Sequence, residues 1–376
     1  MEINHGGKPV IQVAHTSRSN SGEAVVELQA QLGAIKPKVL LCFASTQQEP
    51  HELVRKLQRA YPDALVCGST TAGEIVSGMV LKGSVVAMAI GEDVVSKVAS
   101  VAIEDLGARM DLKAAFATLE RHIGEPMEEL DPDHHVGIVI TDGMSGAEEK
   151  LIEAIAAHTE IAFIGGSAGD DLKFKKTTVF LGKNIHDHAA ILVLLKVPRG
   201  FEIIKTQSFK PTGVVLEATE VNEAERKIVT LNHRPAAYAY AEAVGALPEA
   251  ISEKFTSHPL ARMVGVEPFI RSPQQIEGTA IKFYCAVKKG EMLSVMEATN
   301  IIADTQAAVS KVVSEAGGVT AIVDFHCILR ALELEAKGLS QDYGAIFKEI
   351  PAIGFSTYGE AWTTHINQTS TMLVFR

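Results

Sequence analysis

The sequence predicts a mixed α/β (α+β) protein of two lobes, built from repeated β-α-β units with added antiparallel strands and Gly-rich turns at the strand ends. Three observations predict it. A length of 376 residues exceeds what one ordinary core organises, which favours two domains. Apolar runs of strand length alternate with segments whose apolar residues recur at helical spacing. One turn, rich in glycine and hydroxyl residues, returns three times, each time after a strand-helix-strand sequence.

The first unit begins at 38–45 (KVLLCFAS), a buried strand. Thr46-x-x-Glu49 reads as a capping box with Pro50 just inside the helix, whose Leu53, Val54, Leu57 and Ala60 share a face. A short strand at 64–67 enters the turn GSTTAGEI, and β-type runs follow at 84–89 and 97–102. The order then repeats: strand 136–141, a capping box Ser145-x-x-Glu148 opening helix 149–158, and strand 161–164 entering GGSAGDD. Strands 177–181 and 189–195 follow, joined through Lys183-Asn184. Near the C-terminus come strand 320–325, helix 328–337, the run 350–354 entering GFSTYGE, and a last strand at 371–375.

Set side by side, the turn from Gly68 to Glu74 matches that from Gly354 to Glu360 at both glycines, a threonine and the acid. Gly166 to Asp170 reads as a shortened version. Glycine lets the backbone approach whatever lies above, and acids and hydroxyls at strand ends face the crevice where α/β sheets bind ligands. Ser69, Thr71, Glu74, Ser167, Asp170, Thr357 and Glu360 are therefore candidate ligand contacts. The plainer reading is that these are only tight turns between packed strands.

A boundary falls near 209–213 (FKPTG), after strand 201–208, so residues 1–30 read as a lead-in, 31–208 as a first domain and 209–376 as a second. The second opens with 214–219, a turn at 222–225, strand 227–231 and helix 235–244. Residues 257–276 carry several prolines and little period, and read as an irregular crossing segment.

Composition excludes several classes. Hydrophobic residues are 47% and charged residues 22%, as in a packed globular chain. The net charge of −11 has no basic stripe, so nucleic acid and anionic membrane lack an electrostatic footprint. No apolar run reaches the ~18 residues of a membrane span, and the N-terminus does not read as a signal peptide, so the expected compartment is the cytoplasm. Cys42, Cys67, Cys285 and Cys327 form no CxxC pair, and the first three sit in apolar runs, as buried thiols do.

These pieces together, VCGSTTAGEI, VITDGMSGAEEKLI, FIGGSAGDDLKF, VDFHCILRALELE and GFSTYGEAWTTHINQTSTMLVF, resemble the FIST N-terminal and C-terminal domains in that order, over nearly the whole chain. The resemblance implies a non-catalytic intracellular sensor of small ligands. FHCILR and SHPLARMVGVEPFIRSP look closest to a branch of haem-containing nitric-oxide sensors that act on partner histidine kinases or cyclic-di-GMP enzymes, the output of a two-component system. An amino acid or other small metabolite, sensed without haem, is the alternative ligand. The chain has no kinase, receiver or cyclase motif, so a partner would carry the output.

GGSAG satisfies G-x-S-x-G, but a serine hydrolase using Ser167 needs a helix after the turn, and the following residues alternate like a strand. A purely structural interaction module is a third possibility. His186-Asp-His188 could hold a metal but lacks a third ligand, and reads better as an exposed hairpin. His326 and Cys327 are strand neighbours pointing to opposite faces, with Cys327 expected to be packed and His326 open. His365, Asn367 and Thr369 alternate on one face of the final strand, making His365 and Asn367 ligand candidates. His365 is the first candidate for a non-covalent haem ligand and His258 the second.

Overall fold

Strands covered on both faces read as unbroken apolar runs, and Val39–Ser45 is one, buried at every residue. It pairs in parallel with Leu65–Thr71, with the helix Pro50–Ala60 crossing between them and burying Leu53, Val54 and Leu57. On its other side runs Val85–Ile90, antiparallel, and beyond that Ile11–Thr16. The helix Ser21–Leu32 joins this group, capped by Asn20, whose Oδ1 accepts from the N–H groups of Gly22 and Glu23 at 2.9 and 3.1 Å. The computed structural model describes residues 10–107, 110–315, 318–362 and 364–376.

This pattern occurs three times. The second module is Lys97–Ile103, helix Leu112–Ile123, His135–Thr141, helix Glu148–Ala156, Phe163–Ser167 and Ala190–Lys196. The third is Phe201–Gln207, helix Ile301–Glu315, Ala321–Cys327, helices Ile328–Ala336 and Ser340–Ala345, Ala352–Thr357 and Thr369–Phe375. The inner faces of all three sheets share one core, which holds Phe43, Ile138, Ile164, Val323, Phe325 and Phe355.

Each sheet is completed by a strand from another module. Glu74–Val76, which follows the first turn, pairs with Ala352–Thr357 of the third module. Glu360–Trp362, after the third turn, pairs with Phe163–Ser167 of the second. Val179–Leu181, after the second turn, pairs with Leu65–Thr71 of the first, and the cycle closes.

By contacts the chain divides into two compact units, one of residues 1–205, 306–364 and 370–376, the other of 206–305 and 365–369. The second unit is thus inserted between the first strand and first helix of the third module. Its sheet runs in the order Glu267–Arg271, Leu260–Val264, Met292–Ala298, Phe209–Asn222, Lys227–Leu231, Ala280–Phe283, Pro273–Glu277. The helix Ala236–Ala243 buries Ala237 and Tyr240 in a core with Leu216, Ile228, Leu293 and Val295.

Several sequence expectations are corrected. The lead-in 1–30 contains a strand and a helix of the first module. Segments 31–208 and 209–376 are not the compact units, because residues after 305 mostly return to the first. The two capping boxes do not form: Glu49 and Ala147 precede the helices without a side-chain cap bond, Thr46 instead bonds Asp171, and Ser145 bonds the Asp142 carbonyl. Residues 257–276 are not irregular; a hairpin turns at Gly265, whose φ is +61°, and a third strand begins at Pro273. The last strand begins at Thr369, after a break at Asn367 and Gln368, so His365 and Thr369 lie on different strands. Among the described residues no helix is long and apolar enough to cross a membrane.

Candidate functional site

The three glycine turns pack on one another. Ala72 N donates to Ser356 O at 3.2 Å, Tyr358 N to Ser167 O at 3.2 Å, and Gly169 N to Thr70 O at 3.0 Å. The same cycle recurs one step on, with Ser356 N to Gly73 O, Ser167 N to Gly359 O, and Thr70 N to Thr178 O. These bonds set the true correspondence. Gly165, not Gly166, matches Gly68 and Gly354, and a Cβ on any of the three would lie 1.7–2.3 Å from the carbonyl oxygen of Val139, Cys42 or Asp324. Glycine is needed there because neighbouring backbones would collide with any side chain.

The second turn is therefore lengthened rather than shortened, carrying residues 170–177 as an insertion. Asp170 does not correspond to Glu74 and Glu360. Its oxygens accept from the N–H groups of Phe174, Lys175 and Lys176 at 2.8, 2.6 and 3.0 Å and from the Tyr358 hydroxyl. Burial alone would raise its pKa, but these bonds outweigh it and hold Asp170 below the usual carboxylate range. Asp170 ties down its own loop.

The other turn residues are equally enclosed. Ser69, Thr71, Glu74, Thr357 and Glu360 are fully buried, and Ser167 is 4% exposed. Glu74 accepts from Thr71 and from the Ser84 N–H and hydroxyl at 3.0 and 2.6 Å. Burial pushes its pKa up to about 7, against those hydrogen bonds and with help from the nearby Asp171 charge. Thr357 accepts from Ser167 N and Gly359 N and donates to Gly359 O. After Ser167 the chain runs through loop to the strand Val179–Leu181, without the helix a nucleophile elbow requires.

A different arrangement stands on the outer face of the third sheet. Val323 and Phe325 enter the common core, so alternation turns Asp324 and His326 to the helix side. The corresponding residues of the first module, Cys42 and Ala44, are apolar and packed. Gly354 lies opposite Asp324 in the register and leaves room beside it. Asp324 accepts from the hydroxyls of Ser370 and Tyr343 at 2.6 and 2.8 Å. Burial raises its pKa to about 6, while Ser370, Tyr343 and the charge of Arg330 pull the other way.

His326 is not open as the sequence suggested. Only 1% of it is exposed, because Tyr343 from the helix Ser340–Ala345 covers its ring at 4.5 Å between centroids. Cys327 is buried as expected. Burial, with the Arg330 charge, holds His326 well below its ordinary pKa, so the ring is neutral and offers one donor and one acceptor. Neither nitrogen has a hydrogen-bond partner, and the Asp324 carboxylate, at 4.0 Å, is too far to supply one. A buried polar group left unpaired costs ~1–3 kcal/mol, so this ring calls for a polar occupant. Helix residues Arg330 and Tyr343, 4 and 17 positions beyond the histidine, carried no sequence signal of this (both sit at ordinary helical spacing).

In the second unit, His365 is 4% exposed and Asn367 2%. His365 therefore shows no open face to a macrocycle. Gln368, between them and Thr369, accepts from the Ser272 hydroxyl at 2.7 Å and donates to the Thr256 carbonyl at 2.9 Å. His258 is half-buried, its Nδ1 2.9 Å from the Ser257 hydroxyl, and burial with the Lys254 charge lowers its pKa. A neutral imidazole can coordinate iron. But an open hollow of about 610 Å³ on this unit is lined by Glu217, Thr219, Glu220, Thr230, His233 and Lys289, without His258. Its carboxylates, hydroxyls, imidazole and ammonium suit a small polar molecule.

Similar proteins add family rather than chemistry. A stretch of 136 residues, 35% of this chain, is 27% identical to the uncharacterised protein MJ1623 of Methanocaldococcus jannaschii, spanning 26% of that protein. A crystal structure of a cyanuric acid hydrolase from A. caulinodans matches over 98% of this chain and 99% of its own, at 12% identity and a TM-score of 0.37, too distant to bear on activity. The FIST N domain matches residues 38–234 and the FIST C domain residues 236–362. FIST domains are sensory domains that bind small ligands in signalling proteins. With two such matches running from 38 to 362, the chain belongs to the FIST family.

Proposed function

We propose that this chain is a cytoplasmic, non-catalytic receptor for a small polar ligand, and that it passes ligand occupancy to a separate histidine kinase or cyclic-di-GMP enzyme. The observation that carries the ligand site is His326, fully enclosed beside Asp324, Tyr343, Ser370 and Arg330 with both ring nitrogens unengaged. A ligand reaching it must displace the Tyr343 cover, and moving the helices after the third strand is a way for occupancy to become a surface change. Four buried free cysteines suit a reducing compartment.

The test is a thermal-shift screen of amino acids and small polar metabolites, followed by His326→Leu. The variant should keep or raise the melting temperature, since it removes an unpaired polar group, and lose the ligand-induced shift. A full shift in His326→Leu would place the ligand elsewhere. The ligand found this way should change the rate of the partner enzyme in the presence of this chain, and leave it unchanged in its absence.

The haem-based nitric-oxide reading has the half-buried His258 in its favour, its pKa lowered by burial and the Lys254 charge. Protein expressed with haem supply is expected to show no Soret band. A band that disappears in His258→Ala would replace the metabolite reading with the haem one.

A further inference from the structure

The second unit holds two guanidinium groups around one carboxylate without a hydrogen bond between them. Leu260 faces Arg271 across the hairpin Leu260–Val264 and Glu267–Arg271, and Arg262 faces Leu293 on the neighbouring strand. Leu260 and Leu293 belong to the core of this unit, so strand alternation puts both arginines on the core side of the sheet. The side chain of Arg271 is 8% exposed, that of Arg262 40%, and that of Glu291, just ahead of its strand, 9%.

Glu291 Oε1 lies 3.8 Å from Arg262 Nε and 3.9 Å from Arg271 Nη2, beyond hydrogen-bonding range for both. Its other oxygen accepts from the Lys288 N–H at 3.3 Å. The Nε atoms of Arg262 and Arg271 are buried and unpartnered, and among the described residues neither guanidinium donates a hydrogen bond. Arg262 also lies over the Phe269 ring at 5.7 Å, which holds it in place. The cluster has one net positive charge and two forked donor sets unspent. A buried guanidinium in that state is costly, and a planar or tetrahedral oxyanion is what its geometry accepts.

We infer that Arg262 and Arg271 form a binding site for an oxyanion, the carboxylate or phosphate group of a small ligand, with Glu291 holding the arginines apart until the anion arrives. This site is separate from His326 and does not depend on it.

The experiment is thermal denaturation of the full chain against inorganic phosphate and, in a second series, acetate, each at constant ionic strength made up with sodium chloride. Phosphate, acetate or both should raise the melting temperature saturably, and whichever acts names the source of the oxyanion. Arg271→Met should raise the half-saturating concentration at least tenfold, and Arg262→Met serves the same purpose should Arg271→Met fail to fold. Glu291→Gln, which removes the competing charge, should lower it at least threefold. No saturable shift with either anion up to 50 mM, or an equal shift in the wild type and the folded arginine variant, overturns the site. So does a Glu291→Gln variant whose anion response is unchanged, since the three residues would then be an ion-pair network alone.

Discussion

At Gly169 the absence of a side chain is itself the interaction. A Cβ there would stand 2.7 Å from the Ala72 backbone nitrogen, in the cycle that joins the turns. Gly169→Ala should therefore cost at least the ~1–3 kcal/mol of ordinary overpacking, read as a melting temperature several degrees lower. Gly33→Ala, where nothing lies within 4 Å but φ is +64°, tests backbone conformation alone and should cost less. Glu74 brings a pH dependence. Its folded pKa, about 7, stands above the ordinary value near 4.5, so the folded state keeps a proton that the unfolded chain releases between those values. Stability from this group is full at the acid end and falls as pH rises through the window, by at most ~1.4 kcal/mol per pH unit. Asp324 acts in the same direction and His326 in the opposite one, so the measurement is the difference between wild type and Glu74→Gln. That difference in unfolding free energy should change between pH 4.5 and 7 and flatten above it; a difference constant with pH would remove the assignment.

Among the elements, turns decide more than strands or helices do. The strands at 38–45, 136–141 and 320–325 and the helix after each were readable because an unbroken apolar run and a helical stripe are local patterns. Partners across modules were not. Thr46 looked like a helix cap from its neighbours three residues on, yet it bonds Asp171, 125 positions away. Asp170 looked like the match of Glu74, and only the bonds of Gly169 and Thr178 reveal the insertion between them. Asp170→Ala should loosen residues 170–177 while leaving the three-module core folded. The reading is faster amide exchange or protease cleavage confined to that loop, and global unfolding would assign Asp170 a larger part. The same element-level reasoning covers Ser167. In a turn without a following helix, it should not be labelled by a fluorophosphonate, and labelling with turnover lost in Ser167→Ala would establish a hydrolase.

For the molecule as a whole, the threefold repeat of turns was legible and its meaning was not. Similar turns at similar places can mark three ligand-facing rims or three backbones packed against each other, and glycine serves both. In the first and third turns Thr71 and Thr357 spend their hydroxyls within the turn, on Glu74 and on the Gly359 carbonyl. His326, with both ring nitrogens unmet, was visible as a residue but not as a site: Tyr343 and Ser370 come to Asp324 from 19 and 46 positions along the chain. The inserted unit was hidden for the opposite reason. Its near end, between Lys205 and Thr206, falls inside the strand Phe201–Gln207 and its far end inside the helix Ile301–Glu315, where no change of pattern marks either.

The exchange of strands among modules also bears on how the chain is made. Ribosomes deliver the first module long before the third, and its sheet cannot be finished by its own residues, since Val179–Leu181 must arrive from the second. The second waits in turn for Glu360–Trp362, and Glu74–Val76 has no place to pair until Ala352–Thr357 emerges. Unpaired strand edges therefore persist through most of translation, which exposes nascent chains to aggregation and holdase capture. Release of the full-length chain, rather than completion of any one module, should be the moment at which protease resistance appears; arrested ribosome-bound chains ending near residue 340 should still be cleaved within the first module.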